Sequence, residues 1–311
     1  MPLPSPVFPH GLVAAPFTPF QPNGELNLGI VARYADALEQ KRVTAAFICG
    51  TTGEGASMTT AERQQVAAQW RADKPPSLRL IVHVGHNSTN DSRTLAAHAE
   101  QIGADAIAAI APGFFQPATI RDLVEWCVDV AAAAPGLPFY YYHMPAMTGA
   151  NFPMIDFLPR AIERIPTFAG IKFTHENLMD YSLTLAAAGE SHAILFGRDE
   201  ILLGALALGA RGAVGSTYNY MAPIFHRVMS AFSSGNLAAA QQEQLLAQRL
   251  IAIMIKHGGL AAGKAIMGLI GLNCGPVRRP LTPLSVKQSA GLRADLDQAG
   301  FFAAIAEATA K

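Results

Sequence analysis

The chain has 311 residues, half of them hydrophobic and only 15% charged, with 23 acidic and 23 basic residues. Such a chain buries a substantial core in one domain or two, and its even charge offers no electrostatic footprint for nucleic acid or an anionic membrane surface. No run approaches the apolar length of a membrane span, the N-terminus MPLPSPVFPHG lacks the basic and apolar regions of a secretory signal, and Cys49, Cys127 and Cys274 have neither disulfide-framework nor metal-ligand spacing. The reading is a cytoplasmic protein with free thiols.

In chain order, eight short β-rich runs stand out: LVAAPF (12–17), AAFICG (45–50), RLIVHVG (79–85), AIAAIAP (106–112), PFYYYHM (138–144), FAGIKFT (168–174), AILFG (193–197) and GAVGST (212–217). Between them lie amphipathic stretches such as LNLGIVARYADALEQK and TTAERQQVAAQWRAD, with apolar residues every three or four positions. In STNDSRTLAAHAEQIGAD (88–105), Ser88 or Thr89 is placed to cap a helix and Gly103 to close it. Strand and helix alternating eight times predict an α/β protein of the (β/α)₈ TIM-barrel class. A doubly wound sheet is the competitor, weakened because VAAPFTPFQPNG replaces a Gly-x-Gly-x-x-Gly turn after the first strand. Nearly a hundred residues follow the eighth run, including NLAAAQQEQLLAQRLIAIMIKHGG and KAIMGLIGLN. We read 1–220 as the barrel core and 221–311 as its last helix plus a C-terminal helical extension, with no linker to separate them.

Lys172 is anomalous in the apolar run FAGIKFTH (168–175). A barrel has no edge strand, so alternation places Gly170, Lys172 and Thr174 on the inward face near the strand's C-terminal end, where such barrels carry their active sites. An ordinary lysine is neutral only about once in 2,500 molecules at pH 7, and desolvation raises that fraction, giving an amine that attacks carbonyl carbon to form a Schiff base. Tyr140 and Tyr142 share a face of the fifth run, and Tyr142, nearer its C-terminal end, suits proton transfer beside an iminium. After the second run, CGTTGEG (49–55) is a glycine-flanked turn whose backbone N–H groups, with Thr51 and Thr52, suit a carboxylate. His83 and His86 lack metal-site spacing and are expected to be structural residues near the rim.

GTTGE, YYYHMPAMTG, GIKFT, GRDE and GSTYN together resemble the N-acetylneuraminate lyase and dihydrodipicolinate synthase family of pyruvate-dependent class I aldolases, over essentially the whole chain after its first ten residues. The fuller stretches IGADAIAAIAP, LPFYYYHMPAMTG, FGRDE and GAVGSTYNYM are most similar to members that cleave sialic acid. The resemblance implies reversible cleavage of N-acetylneuraminate to N-acetylmannosamine and pyruvate, without metal or organic cofactor, by a homotetramer. It makes Lys172 the Schiff-base residue and Tyr142 the proton-transfer residue. Thr51 and Thr52 would hold the pyruvyl carboxylate, and Thr174, Gly197, Asp199, Glu200, Gly215 and Ser216 would contact the sugar chain. For Asp199 and Glu200 the alternative is simple complementation of a helix dipole. The rival functions are an aldolase or dehydratase for shorter 2-keto-3-deoxy sugar acids and a non-catalytic keto-acid-binding barrel.

Four positions, at three sites, depart from the family pattern. Met147 stands where a synthase of the dihydrodipicolinate type carries arginine for a second carboxylate. Phe114 and Phe115 stand where many relatives have a tyrosine pair, one member of which reaches a neighbouring subunit's site. Leu260 stands where some sialic acid lyases have an aromatic residue.

Overall fold

The computed structural model describes residues 10–306. Its eight strands are β1 (Gly11–Ala14), β2 (Ala45–Ile48), β3 (Arg79–His83), β4 (Ala106–Ile110), β5 (Phe139–His143), β6 (Phe168–Phe173), β7 (Ala193–Phe196) and β8 (Gly212–Gly215), each within an expected run except that β1 begins one residue earlier. All pair in parallel with their sequence neighbours, and β1 pairs with both β2 and β8, which closes the barrel. Every residue of β2, β5, β6 and β8 is buried, as expected of strands covered on both faces.

Alternation sorts the side chains. Val13, Ala45, Phe47, Ile81, Ala106, Ala108, Tyr140, Tyr142, Leu195 and Val214 form one apolar cluster inside the barrel. Their neighbours, among them Leu12, Ala46, Ile48, Tyr141, Ile171 and Phe173, join the larger core beneath the helices. In β6 the strict alternation fails. The register against β5 slips between Phe139 and Tyr140, and Ala169 joins the interior cluster beside the position expected for Gly170. Gly170 has φ +153° and a Cβ there would sit 1.9 Å from the Ala193 carbonyl oxygen, so only glycine passes the bulge. Lys172 still turns inward, directly opposite Tyr142 in the β5/β6 register.

The outer layer comprises α1 (Val31–Gln40), α2 (Thr60–Asp73), α3 (Thr89–Gln101), α4 (Ile120–Ala131), a short α5 (Pro145–Thr148), α6 (Met154–Arg164), α7 (Leu178–Ala188), α8 (Leu202–Ala207) and α9 (Tyr218–Ser233). Thr59 and Glu62 form a capping box on α2, as do Thr119 and Asp122 on α4, while the Ser88 hydroxyl accepts the Asp91 N–H to cap α3. Four further helices follow: α10 (Leu237–Lys256), α11 (Leu260–Leu269), α12 (Val286–Gln298) and α13 (Phe301–Ala306). The 220/221 boundary read from the sequence falls inside α9. Among the described residues no single helix is long and apolar enough to cross a membrane.

One ion pair fastens this C-terminal region to the turn after β2. Glu54, in the left-handed region at φ 53°, directs Oε1 to the Lys264 ammonium of α11 at 2.7 Å and Oε2 to the Arg278 N–H at 2.7 Å. Both ionic side chains of the Glu54–Lys264 pair are 1% exposed. The Arg278 guanidinium adds bonds to the Gly24 and Ser57 carbonyls and to Glu62. Breaking a buried pair from one side strands the other charge, at about 3–5 kcal/mol, whereas replacing both members costs far less. Lys264→Met is therefore expected to lower the thermal unfolding midpoint sharply, and Glu54→Gln combined with Lys264→Met to recover part of the loss; a double variant no better than the single would contradict this.

Candidate active site

Lys172, the next-to-last residue of β6, is 5% exposed. Its Nζ lies 3.8 Å from the ring centroid of Tyr142 on β5 and 4.1 Å from that of Phe47 on β2. Two aromatic faces thus stand where water would otherwise solvate the ammonium. Cation–π attraction returns only part of the lost hydration, about 1–2 kcal/mol per face at best. Burial accordingly holds the Lys172 amine below the ordinary lysine range, against opposing contributions from Tyr142 and the Asp199 carboxylate.

The Tyr142 hydroxyl lies 3.3 Å from Thr51 Oγ1 and donates to the Met144 sulfur at 3.0 Å. Thr51 opens the turn between β2 and α2, its side chain exposed to the barrel mouth while Thr52 is half-buried. The turn is pinned from below: Cys49 is left-handed at φ 57°, the Gly55 N–H donates to the Gly50 carbonyl at 3.1 Å, and Thr18 Oγ1 donates to the Gly53 carbonyl at 2.6 Å.

A second group of residues meets at the ends of β6, β7 and β8. A Cβ at Gly197 would sit 1.9 Å from Thr174 Oγ1 and one at Gly215 would sit 2.8 Å from Asp199 Oδ2, so these glycines let Thr174 and Asp199 approach. Asp199 Oδ2 accepts the Thr217 N–H at 3.1 Å and its hydroxyl at 2.5 Å, which fixes the carboxylate after β7. Glu200 is half-buried; burial first and then the Asp199 charge push its carboxyl up to about 7. Buried Thr174 Oγ1 and Glu200 Oε2 have no protein partner among the described residues. Ser216 is half-buried on the same rim, and its carbonyl receives the Asn219 amide at 2.7 Å. The expected residues thus fall into a lysine-centred group (Lys172, Tyr142, Thr51) and a polar rim (Thr174, Gly197, Asp199, Gly215, Glu200). No hydrogen bond ties the Thr52 or Ser216 hydroxyl to either group among the described residues.

His83 lies elsewhere than expected. Instead of standing at the rim it is 6% exposed inside the barrel, edge-on to Tyr142 with centroids 5.9 Å apart. Nε2 accepts the Ile110 N–H at 3.2 Å, which leaves the proton on Nδ1 to donate to the Cys49 carbonyl at 3.1 Å. Burial, with Arg63 and Lys172 nearby, holds the ring well below the ordinary histidine range and so neutral. Buried Arg63 of α2 donates to the His83 and Gly85 carbonyls at 2.6 and 3.0 Å. His83 thereby ties the ends of β2 and β4 across β3, edge-on to the tyrosine. Phe47 joins the site on the same inward face as Ala45, which alternation in AAFI signals, whereas no sequence pattern marks Arg63 or Met144.

The model of the Dihydrodipicolinate synthetase family matches residues 8–299. A curated relative from Xenopus tropicalis, N-acetylneuraminate lyase, is 45% identical over 87% of this chain and 90% of its own length. The N-acetylneuraminate lyase of Homo sapiens is 44% identical, over 89% of this chain and 88% of that protein. Among solved structures, the Proteus mirabilis N-acetylneuraminate lyase superposes with a TM-score of 0.92 at 39% identity, covering 94% of this chain and 99% of that one.

Only the neutral amine attacks a carbonyl, so the rate of borohydride inactivation in the presence of pyruvate is expected to rise with pH, with a midpoint below that of a free lysine. Asp199 favours the ammonium, so Asp199→Asn should move the midpoint to lower pH. A midpoint that stays put or rises would remove Asp199 from the electrostatics of Lys172.

Proposed function

This chain belongs to the Dihydrodipicolinate synthetase family, and from that membership we propose that it is a Schiff-base aldolase that reversibly cleaves N-acetylneuraminate to N-acetylmannosamine and pyruvate. The observation that carries the reading is the buried Lys172 amine held between Tyr142 and Phe47 at the C-terminal end of the barrel. The names of the relatives, at 44–45% identity over most of the chain, support the choice of sugar acid.

The chemistry follows from the two groups of residues. The Lys172 amine adds to the C2 ketone of the open-chain substrate, and loss of water from the carbinolamine leaves an iminium. The C3–C4 bond then breaks, its electron pair moving through C3 to the iminium nitrogen. The C4 hydroxyl loses its proton, toward Tyr142, and becomes the aldehyde of N-acetylmannosamine. Protonation of the enamine at C3 and hydrolysis release pyruvate and restore the free amine. Thr51 and Thr52 suit the pyruvyl carboxylate, because the turn presents hydroxyls and backbone N–H groups beside the Tyr142 hydroxyl. Thr174, Asp199, Glu200 and Ser216, with Gly197 and Gly215 making room, suit a run of substrate hydroxyls.

Exposed Met147 offers no donor to a second carboxylate, which disfavours a synthase reaction. Three buried, unpaired cysteines suit a reducing cytoplasm. Phe114 and Phe115, exposed by 78% and 86% on the loop after β4, suit burial in a homotetramer, although neither brings a phenol to a neighbour's site.

Two experiments test this reading. Tyr142→Phe is expected to keep the imine with pyruvate and to slow cleavage by about 10² to 10⁴, the usual worth of a positioned acid/base; turnover within about threefold of the parent would move proton transfer elsewhere. Across a panel of keto-deoxy acids, pyruvate release should favour the nine-carbon substrate over five- and six-carbon ones by about a hundredfold in kcat/KM. Each rim group left unmatched costs about 1–3 kcal/mol. Equal rates on the short acids would leave the aldolase class standing without its substrate.

A further inference from the structure

The rim contains a cation that the mechanism leaves unused. Arg198 lies between Gly197 and Asp199 at the exit of β7, and its guanidinium spans two carboxylates. One is Glu176, on the segment between β6 and α7, with which it forms an ion pair; the other is Glu200 Oε1, at 3.8 Å. The second Glu176 oxygen lies 3.2 Å from His175 Nδ1, so Glu176 is held at both ends. The Arg198 side chain is 29% exposed against 54% for Glu176. The cation is therefore the more covered member of the pair, with Glu200 at its other end.

We propose that Arg198 is a specificity-determining residue, closing the far end of the site and binding the hydroxyl tail of a long sugar acid. The inference rests on the lyase reading above and concerns the part of the substrate most distant from Lys172. Arginine supplies several N–H donors in a fixed plane and no acceptor, while Glu200 Oε2 is buried without a protein partner. Donor and acceptor side by side match vicinal hydroxyls, each of which both gives and takes a hydrogen bond. Ionised Arg198 also strengthens whatever bond it makes to a neutral oxygen. Exposed ion pairs contribute little to folding, so Arg198 can be removed from the rim without unfolding the barrel.

The test compares N-acetylneuraminate with its seven-carbon analogue, in which the glycerol tail is shortened by two carbons, using the parent, Arg198→Ala, Arg198→Lys and Glu176→Gln. Arg198→Ala is expected to raise KM for the nine-carbon acid by about tenfold or more, with kcat within about threefold and the analogue little affected, as the loss of one hydrogen bond from a charged donor. Arg198→Lys should restore part of the loss, because it keeps charge without the planar fork. Glu176→Gln should weaken discrimination in the same direction. An unchanged ratio of kcat/KM between the two substrates in Arg198→Ala would reduce the bridge to a rim salt bridge and overturn the proposal. So would loss of the pyruvate imine in that variant, which would place the effect at the other end of the site. A parent enzyme that forms the imine but does not cleave N-acetylneuraminate would show that the lyase reading had failed, and this inference would fall with it.

Discussion

Everything at this site follows from one constraint: among the described residues, an ammonium group is kept inside a closed barrel without a carboxylate in direct contact. A solvated lysine is almost wholly protonated at neutral pH and is a poor nucleophile. Lys172 is placed between the faces of Tyr142 and Phe47, which exclude water and compensate its charge only in part. The carboxylate whose charge does act on it, Asp199, belongs to the rim and is already engaged by Thr217. Burial therefore works in favour of the neutral amine, and the closed sheet makes that burial obligatory, because no edge lets the side chain escape to solvent.

Holding Tyr142 in place is the second requirement, and much of the surrounding structure serves it. His83 uses both ring nitrogens to lock the ends of β2 and β4, and Arg63 clamps the carbonyls that follow. From the other side, the Glu54–Lys264 pair and Arg278 bind the β2–α2 turn to the C-terminal helices. Thr51 thus sits on a turn anchored by residues more than two hundred positions away in sequence. The barrel supplies the positions, and these polar clamps supply the precision that a reaction at a single carbonyl carbon demands.

Much of this was legible in the sequence, for reasons that separate cleanly. The eight strands were readable because short apolar runs recur between amphipathic helices, and Tyr142 and Lys172 were readable because period-two alternation survives near the C-terminal ends of β5 and β6. The β6 bulge was not readable. It depends on how close the Ala193 carbonyl comes to Gly170, which no local pattern records. Glu54 looked like part of a carboxylate-binding turn, and its true partner, Lys264, lies on a helix whose docking follows from tertiary packing alone. His83 appeared as a bland rim histidine because its role depends on Ile110 and Cys49, each brought beside it only by the neighbouring strands. Glu176 and Arg198 belong to different loops, and their pairing likewise requires β6 and β7 to lie side by side.

The central claim, that the buried amine of Lys172 forms the covalent link to a keto acid, is tested most directly by trapping. Protein treated with pyruvate and borohydride, digested and analysed by mass spectrometry, should carry the reduced adduct on the peptide containing Lys172, and Lys172→Ala should carry none and release no pyruvate from N-acetylneuraminate. An adduct on another lysine, or a Lys172→Ala variant that still turns over, would contradict the account.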